Sequence, residues 1–234
     1  MSIVLPGENR EEPRINQQIY GSLLESPHLA GYIKHLTVWG GSVAPSIHGT
    51  RSLFLRKLDN LVKLSLSMPG LYWGDLDLDL RQAVVSVLQL PSMRDADIFV
   101  LFVTMNGLTS FLYHTRSLTS LRLFDGLNRL SLEEEVGQQD DVTGQQEDED
   151  KLERFDLGKS GHLSQLRLHF THEFNYPPFI AWLLGPGSHF NMENIHTLSI
   201  FSICHHLHGD SIHKLLHTIA IPLRRLDLDM HDGK

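Results

Sequence analysis

PLRRLDLDM, residues 222–230, contains the pattern from which the fold class of this chain can be inferred. Its leucines are spaced Leu223-x-x-Leu226-x-Leu228, and LVKLSL (61–66) has the same spacing. Seven copies, counting conservative and degenerate apolar replacements, begin at Ile33, Leu61, Met93, Leu118, Leu163, Ile195 and Leu223. Successive copies are 28, 32, 25, 45, 32 and 28 residues apart, and regular spacing in this range is typical of repeat proteins.

Each copy has the alternation of a short strand that buries one face. Successive side chains of a strand point to opposite faces, so the fourth and sixth motif positions lie inside and the third, fifth and seventh outside. One such strand cannot bury its apolar face alone, so the copies are expected to stack. The sequence therefore predicts an α/β fold, an irregular leucine-rich-repeat solenoid. In this horseshoe-like arc, parallel strands form the concave face and helices or loops lie behind them.

The segments between copies are expected to be helical where their pattern can be read. DLRQAVVSVLQLP (79–91) ends at a proline, and PPFIAWLLGPG (177–187) begins with two prolines and ends at a glycine. In GDSIHKLLHTIAIP (209–222), Asp210 or Ser211 is the expected N-cap residue. These segments predict return helices between the strands.

Two further apolar segments conflict with regular spacing. LNRLSL (127–132) follows the copy at Leu118 by nine residues, and LERFDL (152–157) precedes the copy at Leu163 by eleven. Neither gap has room for a strand and a return helix. Either these two segments are the true strands and their neighbours are not, or the loop between them is the tip of an extra hairpin.

The chain is interpreted as a single leucine-rich-repeat-like domain, residues 1–234, with two additions to the repeats. A helix at 14–25 is expected to cover the exposed end of the first strand, and an acidic insertion occupies 133–151. Nine acidic residues and no Lys or Arg lie between Glu133 and Asp150. Because this segment has little apolar surface to bury, a disordered loop is predicted, with docking to a basic partner as the alternative.

The remaining composition excludes several classes of function. Without those nine acids the net charge of −8 becomes +1, so neither a nucleic-acid-binding footprint nor a basic membrane-binding surface is expected. Cys204 is the single cysteine, which excludes an internal disulfide and favours a reducing compartment. No segment has the pattern of a signal peptide or a transmembrane helix, so an intracellular protein, cytoplasmic or nuclear, is expected.

Five stretches spread over almost the whole chain carry a family resemblance. They are SPHLAGYIKHLTVWG (26–40), LVKLSLSMPGLYW (61–73), AVVSVLQLPSMRDADI (83–98), PPFIAWLLGPGSHFNMENIHTLSI (177–200) and IPLRRLDLDM (221–230). They resemble the leucine-rich-repeat region of F-box-like proteins abundant in mushroom-forming, basidiomycete fungi. In that family an F-box usually docks to the Skp adaptor of a cullin–RING ubiquitin ligase, and the repeats supply the surface for a substrate protein.

The F-box itself is not recognisable in this sequence. Leu5-Pro6-Gly7-Glu8 echoes the LPxE opening of an F-box, but the spaced leucines and the tryptophan that should follow are missing. The echo is therefore interpreted as coincidence. A Skp-type adaptor is expected as a partner only if an F-box is supplied or hidden.

The strand pattern predicts a protein-binding face. Side chains at the third, fifth and seventh motif positions are expected on the concave side, where aromatics beside mixed charges are typical of protein-binding surfaces. The candidates are His35, Trp39, Lys63, Asp95, Asp97, Phe99, Arg122, Phe124, Arg167, His169, Phe201, Arg225 and Asp227. The seventh position is aromatic in Trp39, Phe99, Phe124 and Phe201. The alternative is that adjacent loops bury this row as a second small core.

A cluster between Cys204 and His217 offers metal or cysteine chemistry as an alternative. His213 and His217 are four residues apart and share a face of the predicted helix, and a nearby thiolate would suit zinc. Against a metal site, no CxxC and no HExxH accompanies the cluster. The other members of the cluster are His205, His206 and His208.

The segment GDLDLDL (74–80) contains three acidic residues at alternating positions. Asp75, Asp77 and Asp79 are expected along one side of an extended stretch, as glycosidase-like carboxylates or a cation site. A solvated strand face or turn is the simpler interpretation. No GxGxxG, GxxxxGK or GxSxG motif occurs, so the sequence does not support phosphate-cradling or hydrolase-elbow chemistry.

These patterns together predict a non-catalytic protein–protein interaction domain. In its fullest form, the prediction is the substrate-recognition part of a ubiquitin-ligase adaptor. The expected partner is a protein, not a nucleic acid or a membrane, and no cofactor and no metal are expected. Two alternatives remain: a metal-binding or cysteine-dependent enzyme that uses the Cys204–His217 cluster, and a degenerate family member with no retained partner.

Overall fold

Strands and helices alternate along the described parts of the chain. The computed structural model describes residues 1–5, 12–40, 51–102, 105–115, 117–124, 162–170, 176–188, 190–202 and 209–230. The predicted acidic insertion at 133–151 lies outside these ranges, as do the two conflicting segments at 127–132 and 152–157.

Eight parallel strands form one open sheet, and their order in the sheet is their order along the chain. Every neighbouring pair is parallel. The strands are β1 (Ser2–Leu5), β2 (His35–Trp39), β3 (Lys63–Tyr72), β4 (Asp95–Leu101), β5 (Ser120–Phe124), β6 (Gln165–Phe170), β7 (Thr197–Ser202) and β8 (Arg225–Met230). The predicted α/β class with parallel strands is confirmed.

Parallel neighbours need a crossover between them, and each crossover that the structure describes contains a helix. The α helices are α1 (Glu12–Glu25), α2 (51–55), α3 (Leu78–Leu88), α4 (Met105–Tyr113), α5 (Tyr176–Leu184) and α6 (Gly209–Ile219). Short 3-10 helices cover Pro27–Tyr32, Trp73–Asp75 and Met192–Asn194. Among these described helices, none has both the length and the apolar character needed to cross a bilayer.

The strands of the seven motif copies pair in register, position for position. The third motif positions are aligned across the sheet as His35, Lys63, Asp95, Ser120, Gln165, Thr197 and Arg225. Backbone bonds continue this register just before the strands, as where Lys63 N donates to Lys34 O at 3.0 Å. Equivalent side chains on neighbouring strands are therefore direct neighbours in space.

The core lies between the inner face of the sheet and the helices. From β2 to β7, the side chains at the fourth and sixth motif positions are at most 1% exposed. Helix side chains such as Val84, Phe111 and Leu183 belong to the same buried cluster. Each fully buried Leu or Phe contributes roughly 1.5–3 kcal/mol of transfer free energy, so this face holds the repeats together. On β8 the equivalent leucines, Leu226 and Leu228, are 42% and 43% exposed.

The first strand was not predicted from the repeat pattern. Residues 2–5, SIVL, have no LxxLxL spacing, yet β1 pairs with β2 from Ser2↔His35 to Leu5↔Val38. The seven motif copies therefore account for seven of the eight strands in the sheet. The edge of β2 is covered by β1, whereas the sequence interpretation assigned that role to the N-terminal helix. Leu5, part of the F-box-like echo, is 1% exposed and belongs to the core.

The strands on either side of the acidic insertion are those of the regular copies. β5 pairs directly with β6, from Ser120↔Gln165 to Phe124↔His169. The interpretation that the segments at 127–132 and 152–157 replace these two strands is therefore wrong. The physical reason is the continuous inner face, because Leu121 and Leu166 extend the buried row without interruption.

Two helix starts differ from the sequence prediction. α6 begins at Gly209, so Asp210 and Ser211 lie in its first turn and do not precede it. In GDLDLDL, Asp77 is the N-cap of α3, and its Oδ1 accepts from Asp79 N at 2.9 Å. The carboxylates therefore do not alternate along an extended stretch, because capping unpaired amides at a helix start is favourable.

Candidate functional site

The thirteen predicted binding residues all lie on one face of the sheet. They occupy the third, fifth and seventh motif positions, which alternate with the buried leucines. We call this side the open face: it carries the third-, fifth- and seventh-position side chains of β2–β8. All thirteen predicted side chains on this face are half-buried or exposed.

A row of four neighbouring rings crosses the middle of the open face. The centroids of Phe99 and Phe124 are 5.8 Å apart, those of Phe124 and His169 5.3 Å, and those of His169 and Phe201 5.7 Å. We call these four residues the aromatic row. In-register strands put every seventh position beside the next, so one ring on each of β4, β5, β6 and β7 meets its neighbour.

Trp39 shares the face but is separate from the aromatic row. On β3 the seventh position is Ser67, which pairs with Trp39 on one side and Phe99 on the other. Trp39 is 50% exposed, and its carbonyl oxygen accepts from Arg51 Nη2 at 2.8 Å. The sequence interpretation grouped Trp39 with the phenylalanines and did not count His169 as a ring of the row. The signal for His169 in the sequence is its seventh motif position in the copy that begins at Leu163.

All four side chains of the aromatic row are half-buried. The alternative prediction, in which adjacent loops bury it as a second core, concerns the segments that follow β5, β6 and β7. These segments, 125–161, 171–175 and 203–208, lie outside the described residues. The placement of the rings on the open face is the same in both interpretations.

Asp97 links three strands beside the aromatic row. Its Oδ2 lies 2.9 Å from Lys63 Nζ and accepts from Ser65 Oγ at 3.1 Å. Its Oδ1 lies 3.8 Å from Arg122 Nε. Asp97 is the centre of this charged cluster because the fifth positions of β3, β4 and β5 are adjacent. Ser65 occupies the fifth motif position of its copy and therefore points outward, but it is not among the thirteen predicted residues.

A second serine–aspartate pair lies at the other end of the open face. Ser199 Oγ donates to Asp227 Oδ2 at 3.2 Å, and Arg225 Nε donates to the same oxygen at 2.9 Å. Ser199 is only 2% exposed, so its hydroxyl is held in place. The hydrogen bond between Ser199 and Asp227 is equivalent to the one between Ser65 and Asp97 on β3 and β4. Arg225 and Asp227 also form an ion pair within β8.

Two arginines lie between these acidic groups. Arg122 and Arg167 are paired in register on β5 and β6, and the Arg122 guanidinium lies 5.8 Å from the centroid of the Phe124 ring. Arg167 Nε is buried and has no hydrogen-bond acceptor among the described residues. Both side chains line a cavity of about 230 Å³, together with Phe124, His169 and Phe201.

Two predicted candidates stand apart from these clusters. His35 is exposed at the third position of β2, and Asp95 is half-buried at the third position of β4. Both lie on the open face, as the register requires. They broaden the polar margin of the face, away from the aromatic row.

The alternative cluster between Cys204 and His217 is described only in part. His213 and His217 are exposed on α6 with ring centroids 6.3 Å apart, as their spacing predicts. Cys204, His205, His206 and His208 lie outside the described residues. Within the described ranges, no group of three or more His, Cys, Asp or Glu side chains is arranged to hold a metal ion.

The open face therefore combines a row of neighbouring rings, two adjacent guanidinium groups and two serine–aspartate pairs. Rings provide apolar contact area, and guanidinium groups provide charged donors, so the face has the means to bind a group that is partly apolar and partly anionic. No family model, curated protein or solved structure matches the chain.

Proposed function

We propose that this chain is a non-catalytic domain that binds a partner protein through the open face. The single observation that carries the proposal is the continuous aromatic row lying beside Arg122 and Arg167. Aromatic residues and arginine are enriched at the centres of protein interfaces, where they account for much of the binding free energy. Polar pairs at both ends of the row resemble the polar rim of such an interface.

A leucine-rich-repeat solenoid is the architecture that we propose for this domain, with the open face on the inside of a horseshoe-like arc. The proposal is supported by one parallel strand in each motif copy, leucines on the inner side and helices in the described crossovers. Repeat proteins of this kind contact their partners over an extended surface. A row of equivalent positions along successive strands suits that mode of binding.

We further propose that the domain is the substrate-recognition part of an F-box-like ubiquitin-ligase adaptor inside the cell. The support is the resemblance of its repeat stretches to that family, together with an open face that is available for a substrate protein. Engagement of a Skp-type adaptor then requires an F-box, whichever chain carries it. The open face binds the substrate and the F-box binds the Skp-type adaptor, so a variant can lose one of these contacts and keep the other.

Affinity capture with matched variants tests the binding proposal. The open-face variant combines Trp39→Ala, Phe124→Ala and Arg167→Ala. The control variant makes similar changes elsewhere, at Tyr32, Leu53 and Arg56, which are all exposed and lie outside the strands. We expect the open-face variant to lose the substrate proteins that the wild type and the control capture from a cell extract.

The identity of the captured proteins tests the adaptor proposal. Mass spectrometry of the wild-type capture is expected to detect Skp and cullin subunits when an F-box is present. If the open-face variant no longer captured Skp and cullin subunits, the proposal that Skp and the substrate bind to different surfaces would be contradicted. If the open-face variant captures the same proteins as the wild type, while its circular dichroism spectrum is unchanged, the open face is not the binding surface.

A further inference from the structure

We propose that the cavity between Arg122 and Arg167 binds the carboxylate of an acidic side chain, carried by an extended segment of the partner protein. The inference rests on the proposed function, because it names the chemical group that the open face recognises. The cavity has a volume of about 230 Å³ and is lined by Arg122, Phe124, Arg167, His169 and Phe201. Two cations and three rings therefore meet in one place.

Arg167 has the least compensated positive charge in this cavity. Arg122 lies 3.8 Å from Asp97 Oδ1, whereas Arg167 forms no ion pair with any residue that the structure describes. Its buried Nε also lacks an acceptor among those residues. A guanidinium group without a counter-ion forms charge-assisted hydrogen bonds with an incoming anion. An anion is therefore the group that this position lacks.

The guanidinium fork matches a carboxylate and a phosphate equally well in shape. Arg122 already lies 3.8 Å from Asp97 Oδ1, whereas Arg167 has no ion pair within the described residues. We assign the site to a carboxylate because that is the anion that an unmodified acidic peptide supplies. A phosphoserine peptide distinguishes the two in the test below.

The aromatic row sets the form of the occupant. It crosses four strands, and three inter-strand spacings of about 4.8 Å give a length of roughly 14 Å. An extended chain rises about 3.3 Å per residue, so roughly four to five residues cover the row. Rings lie on both sides of Arg167, at Phe124 and Phe201. Alternate side chains of an extended chain share a face, so the occupant is an extended peptide in which an acidic residue has an aromatic residue two positions away on either side.

A pair of capped synthetic pentapeptides tests the inference. The probe Phe-Gly-Glu-Gly-Phe and its glutamine version, Phe-Gly-Gln-Gly-Phe, each carry a fluorescent label as the N-terminal cap. The full chain is titrated into each peptide, and binding is followed by fluorescence anisotropy. We expect the Glu peptide to bind about tenfold more tightly than the Gln peptide, as a charge-assisted hydrogen bond requires. Arg167→Gln is expected to abolish this difference and to leave the affinity for the Gln peptide within about twofold.

Two further variants serve as controls. Arg56→Gln removes an arginine that lies outside the open face and is already paired with Asp79 at 3.4 Å. We expect it to change the affinity for the Glu peptide by less than about twofold, because its charge is exposed and screened. Arg167→Lys keeps the charge and loses the fork, so an intermediate affinity is expected. Thermal melts of each variant show whether the fold is kept.

Several results would overturn the inference. Equal affinity for the two peptides, or an equal loss of affinity with Arg56→Gln and Arg167→Gln, would show that the carboxylate is not recognised here. Tighter binding of a phosphoserine peptide would assign the cavity to phosphate. Peptide binding only after removal of residues 133–150, or a dimer that the peptide dissociates, would assign it to this chain's own acidic residues or to a second copy.

The proposed function can survive when this inference fails. Suppose that the wild type captures partner proteins, the open-face variant loses them and Arg167→Gln keeps them. The open face is then the binding surface, while the carboxylate site is wrong. If even the open-face variant keeps every partner, the proposed function fails, whatever the peptides do.

Discussion

The rings of His169 and Phe201 stack across β6 and β7, with centroids 5.7 Å apart and an interplanar angle of 21°. His169 also lies 5.3 Å from the ring of Phe124 on its other side. It is therefore the link between the phenylalanines of β5 and β7. Because a single imidazole joins the two halves of the aromatic row, the row can be tested at one position.

Removal of the His169 ring should weaken the fold slightly. His169→Ala is expected to lower the free energy of unfolding by about 1 kcal/mol, because stacked ring pairs contribute roughly 0.5–1.5 kcal/mol each. His169→Phe keeps a ring and should retain most of that stability. Urea denaturation measures both. The matched control is His35→Ala, an exposed histidine on the same face, for which a change below about 0.5 kcal/mol is expected.

The charged cluster at Asp97 should make a small, salt-sensitive contribution to stability. Asp97→Asn leaves an acceptor for Ser65 Oγ but removes the charge 2.9 Å from Lys63 Nζ. The Lys63 side chain is 38% exposed, so the loss is expected to stay below about 1 kcal/mol and to shrink as salt is added. Asp95→Asn, on the same strand and face, is the control. A loss that is the same at low and high salt would argue against an ion pair.

Equivalent leucines on neighbouring strands should differ sharply in their importance. Leu198 is completely buried on β7, whereas its register partner on β8, Leu226, is 42% exposed. Leu198→Ala is expected to cost about 2–5 kcal/mol, the usual range for a fully buried leucine. Leu226→Ala should cost less than about half as much, because less apolar surface leaves the core. Chemical denaturation measures the free energy of unfolding of both variants. Equal losses of this free energy would contradict the difference in burial.

The start of α3 depends on one carboxylate. Asp77 Oδ1 accepts from the backbone amides of Asp79 at 2.9 Å and Leu80 at 3.4 Å. Asp77→Ala is expected to lower the free energy of unfolding by about 1 kcal/mol, and Asp77→Ser should restore most of it. Asp75→Ala, two residues before the cap, should have an effect below about 0.5 kcal/mol. A loss at Asp75 as large as that at Asp77 would show that charge, not capping, stabilises this segment.

The spacing of apolar residues was sufficient to predict most of the sheet. Copies such as Leu61-x-x-Leu64-x-Leu66 place two buried side chains on one side of a strand, and every copy became a strand in the predicted register. Even the degenerate copy at Met93 forms β4, because Ala96 and Ile98 are apolar and fill the inner positions. This prediction succeeds because alternation is a local property, which one strand expresses without its neighbours.

Features that depend on neighbours were predicted less well. β1 has no motif of its own, and its place is set by pairing with β2 and by burial of Leu5. The role of Asp77 as a cap also escaped the pattern, because Asp75, Asp77 and Asp79 alternate as they would in a strand. In both places, hydrogen bonds that the sequence does not display, between strands for β1 and to the Asp77 side chain for α3, outweighed the local signal.

The amino-acid sequence was enough to establish the repeat, the inner leucines and the set of thirteen outward residues. Folding determined how those residues combine: Asp97 with Lys63, His169 between two phenylalanines, and Arg167 with a buried Nε lacking an acceptor in the described chain. The physical reason is distance along the chain. Strands β5 and β6 are separated by the longest interval between copies, yet their side chains lie one strand spacing apart. Only pairing in the sheet brings such side chains into contact.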